Sequence, residues 1–504
     1  MRRGTRARQM REFWPCTEPI CLPLTTSAAL ESEFDVCVVG AGPAGLACAF
    51  DCHDAGLKTL LLEAGGSRPV PGEPDLLAAE IADPDWHDPT AIVSAHALGG
   101  STHWWGGRAM PLDQSDFRLW PLGYEELAPW WEKAAEFLGS RGLSESEPPP
   151  AFARLARFDA RRDECWAPQL NMSRRWRARI RAADGPAILP HARVTSMASA
   201  GGEVTHVTAR IGEQARSVRA KRFVLACGGL GALRLLLMAQ RQSPALFGGP
   251  DGPLGRFYMG HLTGSIATLA PTQPQDAQAF ACRRLEQGCY ARRRLRPTPE
   301  TIEREDIVNA AFWLDNAGIG DPAHGDAAAS AKYLAARAVR LGRGEGALGP
   351  HIANVARAPV SAAAGLGNAL YLLAYARLSG AHPRATHLIP ASSGAWRLHY
   401  HAEQTRDPDN RITLSDQTDS IGLPKLRIAF RMRDVDFEGV MRAHELLDQD
   451  LQTADAGRLR FDGPRGACLE QIAASARDGY HQLGGACMSA DRREGVVDAQ
   501  CRTH

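Results

Sequence analysis

One stretch constrains this chain more than any other: FDVCVVGAGPAGLACAFDCHDAGLKTLLLE, from Phe34 to Glu63. The apolar run at 34–39 reads as a strand buried on both faces, as in a parallel sheet. It ends in Gly40-Ala41-Gly42-Pro43-Ala44-Gly45 and passes directly into a helix-forming run at 46–55, with Gly56 as its stop. A second apolar strand at 59–62 ends in Glu63, 18 residues beyond Gly45. Each part has a chemical use. Gly40 permits the tight turn, Gly42 lets the backbone approach a pyrophosphate, and Gly45 lets the helix pack close on the strand. The helix N-terminus offers the phosphates its unpaired N–H groups and positive dipole end. An acid at position 63 can bind ribose hydroxyls. GxGxxG alone is a weak signal. The ordered series of strand, turn, helix, strand and acid predicts a dinucleotide site, with a purely structural βαβ unit as the plainer alternative.

Composition narrows the class. The 504 residues suffice for two or three domains, each with a buried core. A net charge of +1 and a pI near 7.6 give no sign of a nucleic-acid, acidic or membrane-surface partner. Only five of the 58 basic residues are Lys, a bias of the coding sequence rather than a mark of an arginine site. The 12 cysteines are scattered, with no CxxC and no zinc-like Cys/His spacing, so no metal site is expected. Cys37, Cys48 and Cys227 read as small core residues. Arg2-Arg3 precedes no apolar signal region, and no apolar run reaches the ~18–20 residues that would span a bilayer. The longest, 369–376, reads as a core helix. The resulting expectation is a cytoplasmic protein.

The chain divides into an N-terminal arm at 1–33 and a nucleotide-binding part at 34–115. A connecting helical segment follows at 116–185, with a helix at 125–138. Strands separated by turn signals, at 188–189, 193–197, 204–210 and 217–219, open a second nucleotide-binding part at 186–261. A buried strand at 222–226 runs into Gly228-Gly229 and a helix at 232–239, a second strand–glycine–helix unit. Residues 262–470 differ in texture, with Ala-rich helices at 326–341 and 365–378 and strands at 396–401, 411–415 and 426–430. A helix at 435–451 completes this expected substrate domain. Residues 471–504 would return to the first fold. The fold class is therefore α/β: a Rossmann-like domain with a parallel sheet and an interleaved α+β substrate-binding domain.

Four separated stretches resemble one family. They are GAGPAG with Glu63; Leu98-Gly99-Gly100-Ser101-Thr102 with Trp105-Gly106-Gly107; Phe223-Val224-Leu225-Ala226-Cys227-Gly228-Gly229 with Arg234-Leu235-Leu236-Leu237, Leu254-Gly255-Arg256 and His261; and Tyr480-His481-Gln482-Leu483-Gly484 with Met488 and Gly495-Val496-Val497-Asp498. Together they resemble the glucose–methanol–choline (GMC) oxidoreductases, flavoproteins that oxidise alcohols and sugars. Glu403-Gln404, Pro408 and Asn410-Arg411-Ile412-Thr413-Leu414 add a likeness to the sugar and polyol dehydrogenases and pyranose oxidases.

The resemblance implies FAD. It places the ADP half on Gly40, Gly42, Pro43, Ala44, Gly45 and Glu63, the adenine at the Val194 backbone, and the pyrophosphate and ribityl chain along Gly99, Gly100 and Ser101. Ala226 and Gly228 belong to the same cofactor set, and Gly106 would lie near the isoalloxazine. Some members attach flavin through a His in the second stretch, but that position is Trp104 here. His103 stands one residue off, and such a shift turns an extended side chain to the opposite face. Non-covalent FAD is expected, with His103 a polar neighbour of the flavin or a loop residue.

His481 matches the family's catalytic base, as the chemistry requires: hydride leaves an alcohol carbon only as the hydroxyl proton is taken up. His399 and His401 alternate on one strand and share a face. They would line a sugar pocket or stand exposed. His261 reads as structural, and Trp104 and Trp105 as packing. The family usually has Gly-Thr where Gly484-Gly485 stands. Its members also continue beyond the point corresponding to His504, with a strand and helix bearing a second active-site residue. The resemblance therefore raises a truncated, catalytically incompetent flavoprotein as the alternative to an active oxidoreductase. The implied partners are a small alcohol or sugar and an electron acceptor: oxygen, a quinone or a redox protein. A flavin monooxygenase or NAD(P)H-linked reductase would need a second nucleotide motif, and Gly228-Gly229-Leu230-Gly231 lacks that spacing.

Overall fold

The computed structural model describes residues 33–70, 78–140, 145–285, 288–316, 320, 322–339, 348–379, 388 and 394–504. Nearly all of the expected N-terminal arm, residues 71–77 after Glu63 and the end of the 326–341 helix lie outside them.

Phe34–Val39 is the central strand of a six-stranded sheet. Thr59–Leu62 and then Ala187–Leu189 lie on one side of it, and Gln214–Leu225 on the other, all parallel. Beyond Gln214–Leu225 the sheet continues antiparallel through Glu203–Ile211 and Ala192–Ala200. Period-two alternation sends Cys37, Leu60 and Leu62 into one apolar layer and Val36, Val38 and Leu61 into the other. The second layer includes Leu46, Ala49 and Phe50 of the helix Pro43–Asp54. The pieces at 217–219 and 222–226 belong to one long strand, Gln214–Leu225, in which Arg219 pairs with His206 and Ala220 with Phe34 without a break. Its end leads into the helix Gly228–Gln242, so the second strand–glycine–helix unit stands beside the first.

The helix at 125–138 is broken. Tyr124–Leu127 and Trp131–Leu138 are α-helical, and Ala128–Trp130 between them is a tighter 3₁₀ turn. Pro129 lacks the N–H that a continuous helix would need there.

A second, antiparallel sheet runs in the order Ala310–Asp315, Trp396–Glu403, His261–Pro271, Gly457–Phe461. The helices Asp434–Thr453 and Arg465–Ser475 pack against it. In Trp396–Glu403, Leu398, Tyr400 and Ala402 face the core, while His399 and His401 are half-buried on the opposite face. A small sheet carrying Arg108–Ala109, Asp163–Trp166 and Tyr290–Arg293 stands near this second face.

The reading of 369–376 as a core helix is corrected. It belongs to Pro359–Ser379, where Val360, Leu370 and Tyr371 are exposed. The helix packs instead through small residues: Ala362 joins Ala327 and Ala331, and Gly365 lies so close to Ala328 that a side chain there would collide. Among the described residues no helix is long and apolar enough to cross a membrane.

Candidate active site

A cavity of about 550 Å³ opens at the carboxyl ends of the parallel strands, where both strand–glycine–helix units start. This is the crevice in which an open α/β sheet binds ligands. Gly40, Gly42, Pro43, Ala44, Glu63, Gly100, Ser101, Val194, Ala226 and Gly228 all line it. Gly45, Gly99 and Gly106 act from outside its wall. A side chain on Gly45 would collide with the Gly40 carbonyl oxygen, so this glycine sets the helix-to-strand distance. Gly99 has a φ of 91° and donates its N–H to the Ala41 carbonyl at 2.8 Å, tying the second stretch to the first. Gly106 is exposed, with Arg108 its nearest side chain. Around Gly42 the place of a missing Cβ is open, and Gly100 approaches its Cα closely. Two helix N-termini facing an open backbone cradle fit a dinucleotide pyrophosphate.

Glu63 is buried, and its carboxylate accepts from Ala41 N and Gly65 N, both at 2.8 Å. Burial raises its pKa against those two bonds. The acid therefore braces the glycine turn as well as lining the cavity. Two wall residues carried no signal in the sequence. Arg193 donates to His96 Nδ1 at 2.9 Å, and burial together with the charges of Arg193 and Arg234 pushes the His96 pKa down to about 3. His96 is thus a neutral imidazole beside two guanidinium groups on the cavity wall.

His103 is spent on its own loop. Its Nε2 donates to the Leu98 carbonyl at 3.0 Å and its Nδ1 accepts from Asn171 Nδ2 at 3.1 Å. Trp104 and Trp105 are likewise anchored through Nε1, to Ser94 O at 3.4 Å and to Leu170 O at 2.6 Å. The missing hydroxyl at 485 also has a steric reason. Gly485 has a φ of 73°, and a side chain there would meet Leu233.

The next residue along the cavity is Gln482, and beside it His481 projects with a half-exposed side chain. Behind His481 lies Asp478, 1% exposed. One Asp478 oxygen accepts from Gly479 N and Tyr480 N at 2.8 Å and from His481 N at 3.3 Å. The other accepts from His261 N at 2.8 Å and His261 Nδ1 at 2.7 Å, and stands 3.6 Å from His481 Nδ1. Burial works against the ionised carboxyl, but the hydrogen bonds and charges of the two histidines outweigh it and hold its pKa far below the usual carboxylate range. The His261 and His481 rings meet edge to face at 4.0 Å. His261, expected to be structural, shares the Asp478 carboxylate with His481. Nitrogen and oxygen atoms of these three residues lie within 4.8 Å of one another, a set that could also hold a metal ion. The carboxylate already accepts five N–H bonds, which makes it an anchor for the imidazoles.

His401 continues the cluster, 4.6 Å from the His261 ring and 4.7 Å from Trp313. His399 stacks on Trp313 at 5.5 Å. The expectation that the two histidines share a face holds, and that face is the wall beside His481. Burial, with the charges of His261, Arg108 and Arg294, drives the His401 pKa far down, so the ring is neutral. Asp478, Trp313 and the three arginines near Trp313 were invisible in the sequence. Their neighbours come from segments up to hundreds of residues away, and none sits in a local pattern. Gln404, from the fifth resemblance stretch, holds this wall together: it accepts from Gly260 N at 3.2 Å and donates to Arg431 O at 2.8 Å.

Residues 406–504 match the C-terminal domain of the family described as GMC oxidoreductase, and residues 35–70 match an FAD binding domain. No curated protein matches the chain. A similar solved structure is pyridoxine 4-oxidase from Mesorbium loti, at 16% identity and a TM-score of 0.48, covering 93% of this chain and 91% of that one. The segment similar to an FAD binding domain supplies the glycine turn of the cavity, and the segment similar to the GMC oxidoreductase C-terminal domain supplies the loop bearing Asp478 and His481.

Proposed function

We propose that the protein oxidises the CH–OH group of a small alcohol, sugar or polyol, with His481 as the base. The observation that carries this reading is the half-exposed His481, backed by ionised Asp478 and one residue from Gln482 on the cavity wall. Asp478 stands by Nδ1, which leaves Nε2 to receive the hydroxyl proton, and the carboxylate stabilises the imidazolium that forms. Edge-on packing of His261 limits rotation of the His481 ring. The glycine turns at Gly40–Gly45 and Gly99–Ser101, with Glu63, Val194, Ala226 and Gly228, would hold FAD, which supplies the two-electron acceptor when bound. Both ring nitrogens of His103 are engaged, which supports non-covalent binding.

Two measurements on the purified protein test the reading. Acid precipitation is expected to leave a flavin absorption band in the supernatant; a band that stays with the pellet refutes non-covalent binding. Anaerobic bleaching of that band by a panel of alcohols and sugars is expected to slow by ~10²–10⁴-fold in His481→Ala with flavin content retained. An undiminished rate in the variant would remove His481 from the base role.

A further inference from the structure

The wall beside His481 carries more positive charge than an uncharged sugar needs. Trp313 is surrounded by three arginines: its ring lies 4.0 Å from the Arg294 guanidinium carbon, 4.9 Å from that of Arg292 and 5.8 Å from that of Arg108. Arg292 and Arg294 share one carboxylate, Glu164, which both reach by ion pairs. Arg294 is 4% exposed, yet its Nε and Nη1 have no hydrogen-bond partner among the described residues. An unpaired buried guanidinium N–H is costly and marks a place where an acceptor belongs. Arg108 has no ion pair among the described residues, and it is exposed. Asp315, at the edge of the second sheet, is the other acid acting on Arg108 and Arg292. Burial, and for Arg108 the charge of Arg292, push both pKa values down to about 10. Both groups stay charged at neutral pH and are crowded by like charge.

The placement ties this charge to the proposed chemistry. Arg108 follows Gly106 by two residues, and Gly106 belongs to the stretch expected near the flavin ring. Across Trp313 lies His401, then His261 and His481, each in ring contact with the next. We infer that the substrate is an anionic hydroxy compound, whose carboxylate or phosphate is bound by Arg108 with Arg292 and Arg294 behind it while its hydroxyl meets His481. Arginine suits the task because its planar fork pairs an oxyanion through two N–H groups.

The inference rests on the alcohol-oxidation reading, and matched pairs of compounds separate the two. Glycerol is set against glycerate, glucose against gluconate, and glycerol against glycerol 3-phosphate. Each is read by anaerobic flavin bleaching on the full chain with its flavin. The charged member of at least one pair is expected to show the higher kcat/KM, and the carboxylate and phosphate arms tell which oxyanion fits. Arg108→Ala is expected to lower kcat/KM for that member about 10- to 100-fold, mainly through KM, and to shrink its advantage over the neutral partner. Arg108→Lys should restore part of it, and flavin content reports folding of both variants. Preference for the neutral members, or an equal loss for both members in Arg108→Ala, would overturn the inference. If no compound bleaches the flavin, the alcohol reading fails by itself. Titration with acetate and with inorganic phosphate, followed by tryptophan fluorescence, then decides the anion site: saturable quenching that Arg108→Ala abolishes supports it, and no saturable binding overturns it.

Discussion

The cofactor crevice and the histidine–arginine wall solve opposite problems. The crevice is made mainly of backbone. Gly40, Gly42 and Gly100 keep side chains out, two helix N-termini point in, and Glu63 braces the turn from below. The wall is made of side chains, from Arg108, His261, Arg292, Arg294, Trp313, His401, Asp478 and His481. A pyrophosphate needs many weak donors at fixed spacing, which a folded backbone provides without tuning. The proton transfer and oxyanion recognition proposed for the wall need a few strong groups with set charge states, which packed side chains provide. The crevice should therefore fail by sterics and the wall by electrostatics.

The largest effect is expected in the crevice. Gly45→Val forces a branched side chain against the Gly40 carbonyl, so the helix must leave the strand. The variant should purify without a visible flavin band; a wild-type band would show that the turn is less tightly packed than described. The wall should respond in kind rather than in occupancy. Asp478→Asn keeps the shape of the anchor but removes its charge and replaces one acceptor by an NH₂ group. Flavin content should persist while the bleaching rate falls roughly 10- to 100-fold, in line with the loss of one or two hydrogen bonds to a charged group. Loss of flavin in this variant would erase the distinction between the two regions.

The smallest effect concerns the core behind the wall. His444 is fully buried against Tyr400 and Phe312, its Nδ1 donates to the Val440 carbonyl at 2.8 Å, and burial pushes its pKa down to about 4. The unfolded chain takes up a proton at about 6.5, so between those values the unfolded state binds more protons. Stability then falls as pH falls, by about 1.4 kcal/mol per unit from this residue and by about 3 kcal/mol in all. Thermal midpoints from pH 7 to 4 should show a slope that flattens in His444→Gln. An unchanged slope would mean that His444 stays neutral in both states or is solvated in the folded one.

The same contrast explains what could be read from the sequence. The crevice is local: GAGPAG, Glu63 and the second strand–glycine–helix unit lie in contiguous stretches whose spacing is set by strand and helix geometry. Ten of the expected cofactor residues line one cavity for that reason. The wall is not local. His261 and Asp478 are 217 positions apart, and no periodicity connects them. Arg108, Arg292 and Arg294 looked like part of a general arginine bias, because composition does not reveal which guanidinium groups converge. The break at Pro129 is local and follows from one residue, whereas the exposed face of Pro359–Ser379 depends on which neighbour covers a helix, and that is decided by the whole fold.

The strand Trp396–Glu403 has a consequence for how such an enzyme can change. Its even positions hold up the core and its odd positions, 399 and 401, face the cleft. Under the proposed alcohol oxidation, an exchange at either odd position would alter what the cleft accepts and leave the packing of Leu398, Tyr400 and Ala402 intact, while Asp478 holds the proposed base His481 from elsewhere in the chain. Substrate choice and structural integrity are thereby written on alternate letters of one short word, and a lineage can edit the first without misspelling the second.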